Sequence, residues 1–192
     1  MYRSFFKRLF DIFAALIGIT ILLLPLLFIA ILIKFDDGGP ALFFQQRSGL
    51  NRRPFCIWKF RTLPVDTNDS LPTRDCPHDR SQMSPLQRFL RKSSIDELPQ
   101  LVNILKGDMS FVGPRPVICQ EQDLIDERDK YGANGILPGL TGWAQINGRD
   151  NLDYVTKACL DGEYVKHMSF LFDLQCVIMT VYSVIRHEGF ND

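Results

Sequence analysis

The stretch Ser93-Ser94-Ile95-Asp96-Glu97-Leu98-Pro99-Gln100 sets two acidic side chains next to each other, just ahead of a proline and an apolar run. Adjacent carboxylates can do two kinds of chemistry. An ionised aspartate is a competent nucleophile toward phosphorus, and a carboxylate pair can share a divalent cation such as magnesium. They also have a plain structural use. Ser94 followed three positions later by Glu97 matches a capping box, in which the serine bonds the third helical amide and the glutamate reaches back. That pattern explains Glu97, leaves Asp96 free, and puts Pro99 awkwardly inside a helix begun at Ser94. In a first helical turn the positive end of the helix dipole favours the ionised form of both acids.

Cations that could meet phosphate oxygens are spaced around this pair. Lys59 and Arg61 leave an expected strand, and Arg115 stands between Pro114 and Pro116, which remove backbone freedom on both sides of it. A guanidinium fixed in that way suits a forked contact with phosphate, although each of these residues could equally be a surface cation. From Ala41 to Ile95 there are ten Lys/Arg against four Asp/Glu, and from Ile118 to Asp173 five against ten. The first region should attract phosphates or acidic headgroups; the second should be solvated.

The elements that must position these residues read as follows. "ALFFQQRSGLNRRPFCIWKFRTL" is two short strands about a Gly49-Leu50-Asn51 turn. Leu63 to Met83 has no apolar period and reads as a loop or lid. Ser84 before Pro85 starts a helix through Lys92, and the acidic pair leads into an apolar helix through Leu105. A further helix is expected over Val117–Asp129, then a glycine-punctuated loop, "LPGLTGWAQINGRD". Apolar positions from Tyr164 to Arg186 recur at helical spacing and make one long helix that completes the core or lies on a membrane surface.

At the start of the chain, Ile12 to Ile33 is 22 residues whose only polar side chain is Thr20, long enough for lipid. No cleavage site follows, which argues against a secretory signal. Pro25 should kink or break the helix midway, because it cannot bond the Ile21 carbonyl. Arg3, Lys7 and Arg8 before the segment and Lys34 after it leave orientation undecided. Two readings stay open, a crossing helix, which composition favours, and a helix that dips in and returns.

At 192 residues the chain can bury one core. Its five cysteines are odd in number, scattered and without a CxxC pair, which indicates a reducing compartment. Cys76-Pro77-His78 lacks a second ligand pair at zinc spacing. No repeat, Walker loop or GxGxxG is present, and no nucleic-acid partner is expected.

Three blocks, "FFQQRSGLNRRPFCIWKFRTL", "SSIDELPQLVNILKGDMSFVGPRP" and "LPGLTGWAQINGRD", resemble the signature blocks of the bacterial sugar transferase family, the monotopic phosphoglycosyl transferases of the minimal PglC-like type. The likeness runs in order from Phe5 to about Asp173. It implies transfer of a sugar phosphate from a UDP-sugar to undecaprenyl phosphate with release of UMP, the first membrane step of a glycoconjugate or polysaccharide pathway. By motif, Asp96 is the nucleophile that forms a covalent phosphosugar, and Glu97 assists with magnesium, held by Asp96 and Glu97, and with protons. Lys59 and Arg115 join them as catalytic residues, while Arg61, Arg149, Gln145 and Asp173 fall to the phosphate-binding set.

The resemblance also implies an α+β fold: a mostly helical small catalytic domain with a short N-terminal β-hairpin, an N-terminal re-entrant membrane helix bent at Pro25, and amphipathic interfacial helices. Residues 1–36 form the anchor and residues 37–192 a catalytic domain on the cytoplasmic face of the bacterial inner membrane, its C-terminal helix interfacial and available for a homodimer. Leu24 departs from the family, where serine often precedes the bend proline; Thr20 is the nearest substitute hydroxyl. The competing readings are a membrane-anchored sugar-nucleotide hydrolase and a non-catalytic scaffold that binds anionic lipid.

Overall fold

The computed structural model describes residues 2–63, 83–148 and 152–186. The expected loop over Leu63–Met83 lies almost wholly outside the described residues, as do Cys76, His78 and Arg149. The architecture is α+β, largely helical, with two small sheets.

After a π-helical turn over Tyr2–Phe6, α1 (Lys7–Asp37) runs 31 residues, about 45 Å at 1.5 Å per residue. It passes through Pro25 without breaking, and it ends at Gly38, whose φ of 73° turns its amide back onto the Lys34 carbonyl. By length and composition α1 could cross a bilayer. One face is nonetheless packed on the rest of the protein along its whole length. Lys7, Asp11, Ala15 and Ile33 are buried, Ile19 and Leu22 cover the Leu101–Ile104 cluster, and Leu26, Ile29 and Ala30 cover Phe60 and Leu90. The opposite face, with Phe13, Ile17, Ile21, Leu24, Phe28 and Ile31, is exposed. Both ends are pinned. The Arg8 guanidinium donates to the Ile104 and Leu105 carbonyls at 2.6 and 2.9 Å, and Asp36 accepts from the Ser84 hydroxyl at 2.6 Å. Thr20 donates to the Leu16 carbonyl, so its hydroxyl turns back toward the preceding turn instead of serving the Ile21 carbonyl.

The hairpin forms as expected. Strands β1 (Leu42–Ser48) and β2 (Pro54–Phe60) pair antiparallel, with Phe43 opposite Lys59. Helix α2 (Pro85–Lys92) follows, and the reciprocal capping box sits here: Gln87 N donates to the Ser84 hydroxyl and Ser84 N to the Gln87 side chain. Ser94 does not play that part. It adopts a left-handed conformation (φ 56°) with no side-chain cap, and a single 3₁₀ turn over Ile95–Glu97 carries the acidic pair. Helix α3 (Gln100–Lys106) then starts afresh with Pro99 as its N-cap, a position that requires no amide from proline.

Beyond α3, β3 (Ser110–Val112) pairs in parallel with β4 (Gly139–Thr141), across α4 (Gln122–Asp129). The glycine-rich block therefore holds a strand and a short helix, α5 (Trp143–Ile146). Here the backbones nearly touch. A Cβ on Gly139 would sit 2.1 Å from Gly113 N, and one on Gly142 2.1 Å from the Gly113 carbonyl, so side chains at these positions would force the two blocks apart. Helix α4 begins at Gln122, five residues later than expected. The long C-terminal helix is two, α6 (Tyr154–His167), capped by Asp153, and α7 (Phe170–Arg186), separated at Met168-Ser169. Leu171, Leu174, Ile178, Val181 and Tyr182 on α7 are exposed. The four described cysteines are free thiols.

Candidate active site

Lys59 lies near the end of β2, the acidic pair on the turn before α3, and Arg115 on the Pro114-Arg115-Pro116 segment after β3. Asn103 sets the first two against each other. Fully buried, it donates to the Cys56 carbonyl at 2.7 Å and accepts from Trp58 N at 3.0 Å, so α3 is bonded to the strand that carries Lys59. A buried amide that satisfies two main-chain groups is costly to remove. The Arg115 segment is fixed by more than its prolines. Gly113 N donates to the Thr141 carbonyl at 2.8 Å and Gly139 N to that of Pro114 at 2.9 Å. Arg128 donates to the Arg115 carbonyl at 3.0 Å and is itself held by Asp161 through a buried ion pair at 2.7 Å.

These supports bring four of the expected residues together. Glu97 Oε1 accepts from Lys59 Nζ at 2.7 Å and from Arg115 Nη2 at 3.2 Å. Burial opposes a charge on Glu97, yet the two cations and their hydrogen bonds overcome it and hold the carboxyl well below the usual range. Asp96 differs. It is 8% exposed, and its carboxylate makes no hydrogen bond to any described residue. Burial, then the negative charge of Glu97, push it up to about 7 against the pull of Lys59, Arg91 and Arg115. The helix-dipole expectation, with both acids readily ionised, is thus overturned for Asp96, because a three-residue turn offers little dipole and burial dominates.

The remaining expected residues stand apart. The Arg61 guanidinium is buried and donates to the Pro40 carbonyl at 2.6 Å and to that of Leu63 at 3.5 Å. Gln145, on α5, donates to the Leu140 carbonyl at 3.2 Å, and its buried Oε1 has no partner. Asp173 belongs to a different cluster, where Tyr2, Lys7 and Tyr164 each donate to it at 2.6 Å and join both ends of the chain. Arg149 is outside the described residues. Two cations at the acidic pair were not singled out from the sequence. Arg91, from α2, acts on Asp96, and Arg47, from β1, is within electrostatic reach of Arg115, Glu121 and, more weakly, Glu97. Arg47 stands inside the first signature block, and Arg91 five residues before Asp96, so position relative to the motif was the available signal.

No cluster of three or more His, Cys, Asp or Glu suited to a metal occurs among the described residues. Asp96 and Glu97 still fit a hard cation of the magnesium kind. Lys59 and Arg115 engage only one Glu97 oxygen, which leaves the other and both Asp96 oxygens for a metal that takes one or two carboxylates and completes its shell from phosphate and water.

The chain is similar to known proteins along nearly its whole length. A profile of the family described as "bacterial sugar transferase" matches residues 2–187. The chain is 41% identical over 187 residues to an uncharacterized sugar transferase, EpsL, of Bacillus subtilis, covering 95% of this chain and 89% of that protein. It is 40% identical to the undecaprenyl-phosphate glucose phosphotransferase of Komagataeibacter xylinus, over 91% of this chain and 35% of the relative. It is 38% identical to the UDP-glucose:undecaprenyl-phosphate glucose-1-phosphate transferase of Escherichia coli, over 92% and 39%. The chain therefore spans little more than a third of those two longer relatives. A match over nearly the whole chain, on top of a site that gathers the acidic pair with its cations, establishes that the protein belongs to the bacterial sugar transferase family.

Proposed function

We propose that the protein transfers a sugar phosphate from a UDP-sugar to undecaprenyl phosphate through a covalent intermediate on Asp96. The observation that carries this reading is the unequal treatment of two neighbouring carboxylates. Glu97 is tied down by Lys59 and Arg115, whereas Asp96 is ringed by cations and hydrogen-bonded to no described residue. An Asp96 oxygen attacks the phosphorus that bears the sugar; a P–O bond forms, the bond to the nucleotide breaks, and UMP leaves with its electron pair. A phosphate oxygen of the lipid then attacks the same phosphorus and releases the Asp96 carboxylate. Lys59 and Arg115 offset charge on the transferring group, which phosphoryl transfer needs more than covalent assistance. Magnesium held by Asp96 and Glu97 would supply further positive charge there and lower the proton affinity of Asp96.

An anchor with both ends on one face of the membrane accords with the packing of α1, although the helix runs through Pro25 without the expected break. Arg8 near one end bonds α3 and Asp36 at the other bonds the start of α2, both on the same small domain. A crossing helix would separate those ends by about 30 Å of hydrocarbon. With both ends on the cytoplasmic side, the acidic pair sits at headgroup level, within reach of a soluble nucleotide and a lipid phosphate.

The test is donor turnover without lipid acceptor. Purified protein with magnesium and candidate UDP-sugars should release at most one equivalent of UMP per chain, and Asp96→Asn none. Continuous release without lipid would favour the hydrolase, and an Asp96→Asn variant that retains its function would favour the scaffold.

A further inference from the structure

Among the described residues, Arg47 is a part-buried cation near the site with no part in the proposed transfer. Its main chain is locked on two sides. It pairs with Phe55 of β2 and bridges to Ile118, while Ser48 N donates to the Val117 carbonyl at 2.8 Å. The guanidinium is thereby held against the chain leaving Pro116. Nη1 donates to the Pro116 carbonyl at 3.5 Å, Nη2 donates to Gln45 Oε1, and the buried Nε has no partner. Among the described residues no carboxylate bonds it. Its foremost charged neighbour is another cation, Arg115, with Glu121 and Glu97 weaker in effect, and burial together with Arg115 pushes it down to about 10.

A desolvated cation without a bonded counter-ion is costly, and a second guanidinium beside it adds to the cost. The two are held differently. Arg47 is fixed by its strand and its Nε is shut away, whereas the Arg115 side chain is 43% exposed and makes a 3.2 Å contact with Glu97. Repulsion between them is relieved by turning Arg115 outward, over the acidic pair, where an entering anion meets it.

We propose that Arg47 is a positioning residue for the transfer reaction: from the strand side of the Pro114-Arg115-Pro116 segment it drives the Arg115 guanidinium out to meet the diphosphate of the incoming donor. The inference rests on the phosphoryl-transfer reading for its purpose but not for its test, which measures anion binding. Arg47 never touches the diphosphate; it acts through Arg115 and is silent without it.

Titration calorimetry of the detergent-solubilised full chain with inorganic pyrophosphate tests this, on the wild type, Arg47→Met, Arg47→Lys, Arg115→Met and the Arg47→Met/Arg115→Met double variant. Arg47→Met should weaken pyrophosphate binding about tenfold, Arg47→Lys should stay within about threefold of the wild type, and Arg47→Met should add less than about twofold once Arg115 is gone. Non-additivity is the signature of one residue acting through another. Arg47→Gln, which keeps a donor for the Pro116 carbonyl, replaces Arg47→Met if that variant does not fold. Three results would each overturn the inference: wild-type-like binding by the uncharged variants, a loss as large in Arg47→Lys as in Arg47→Met, or an undiminished loss in the Arg115→Met background. Intact coupling in a protein that never releases UMP from a UDP-sugar would instead refute the proposed function and leave Arg47 its role in anion binding.

Discussion

Asp96 and Glu97 are neighbours in sequence, yet the fold pulls their ionisation in opposite directions, and that difference has a stability consequence. The raised Asp96 pKa means that, between its ordinary value of 3.8 and about 7, the folded chain holds a proton that the unfolded chain has lost. Its contribution to stability is therefore complete below pH 3.8 and disappears as pH rises through about 7. Asp96→Asn, which cannot ionise, should escape the loss. Melting curves should show the variant gaining on the wild type as pH is raised from about 5 to about 8, at about 2–4 °C per kcal/mol for a chain of this size; a difference that is flat with pH would show that Asp96 ionises normally. Glu97 has the opposite sign, because its lowered pKa gives stability present above the ordinary 4.5 and lost as pH falls below it. In the proposed donor half-reaction Asp96 attacks as a carboxylate, so its rate without magnesium should rise with pH and level off above about 7.

At the level of elements, the contacts of α1 assign Asp173 a role the sequence did not show. The Lys7–Asp173 pair is 2.6 Å long with side chains 10% and 11% exposed. Removing one partner of such a pair strands the other, at a cost of about 3–5 kcal/mol. Asp173→Ala should lower stability by that order while leaving UMP release per folded molecule near the wild-type rate; a rate loss with stability intact would return Asp173 to the phosphate site. Where α1 crosses α3, a Cβ on Gly18 would stand 3.3 Å from Leu101 Cδ1. Gly18→Ala should be close to neutral, the improved helix propensity offsetting a mild squeeze, whereas Gly18→Leu should cost about 1–3 kcal/mol of stability in a denaturant titration. The hairpin, the Ser84 helix start and the long apolar first helix were legible because each rests on neighbours within a few residues. The β3–β4 pairing was not, because it joins Ser110 to Gly139 and the two glycine blocks reveal their purpose only when they meet. The break at Met168-Ser169 was hidden by an apolar rhythm that continues across it, and the Asp173 cluster by partners at residues 2 and 7. Ser94 matched a cap it does not form, since Glu97 is drawn to Lys59 and Arg115, which local sequence cannot place.

For the whole molecule, transfer to a lipid phosphate requires both ends of α1 and the site to lie on the same side of the membrane. Single cysteines at positions 4 and 37, introduced into a chain cleared of its own thiols, should react with an impermeant reagent from one face of sealed vesicles only, and the same face for both; labelling from opposite faces would establish a crossing helix. The site itself is assembled from four separate stretches of chain, carrying Arg47, Lys59, Asp96 with Glu97, and Arg115; the α3–hairpin contact braces the acidic pair against Lys59, and the β3–β4 contact with Arg128 braces Arg115. In the proposed mechanism Asp96 becomes esterified to phosphorus, and intact-mass spectrometry of the full chain with magnesium and a panel of UDP-sugars, in the absence of lipid acceptor, would detect that ester. A mass gain of one sugar phosphate is expected that maps to Asp96, vanishes in Asp96→Asn and is discharged by undecaprenyl phosphate; a gain that persists in Asp96→Asn, or UMP release with no gain at all, would rule out an Asp96 ester.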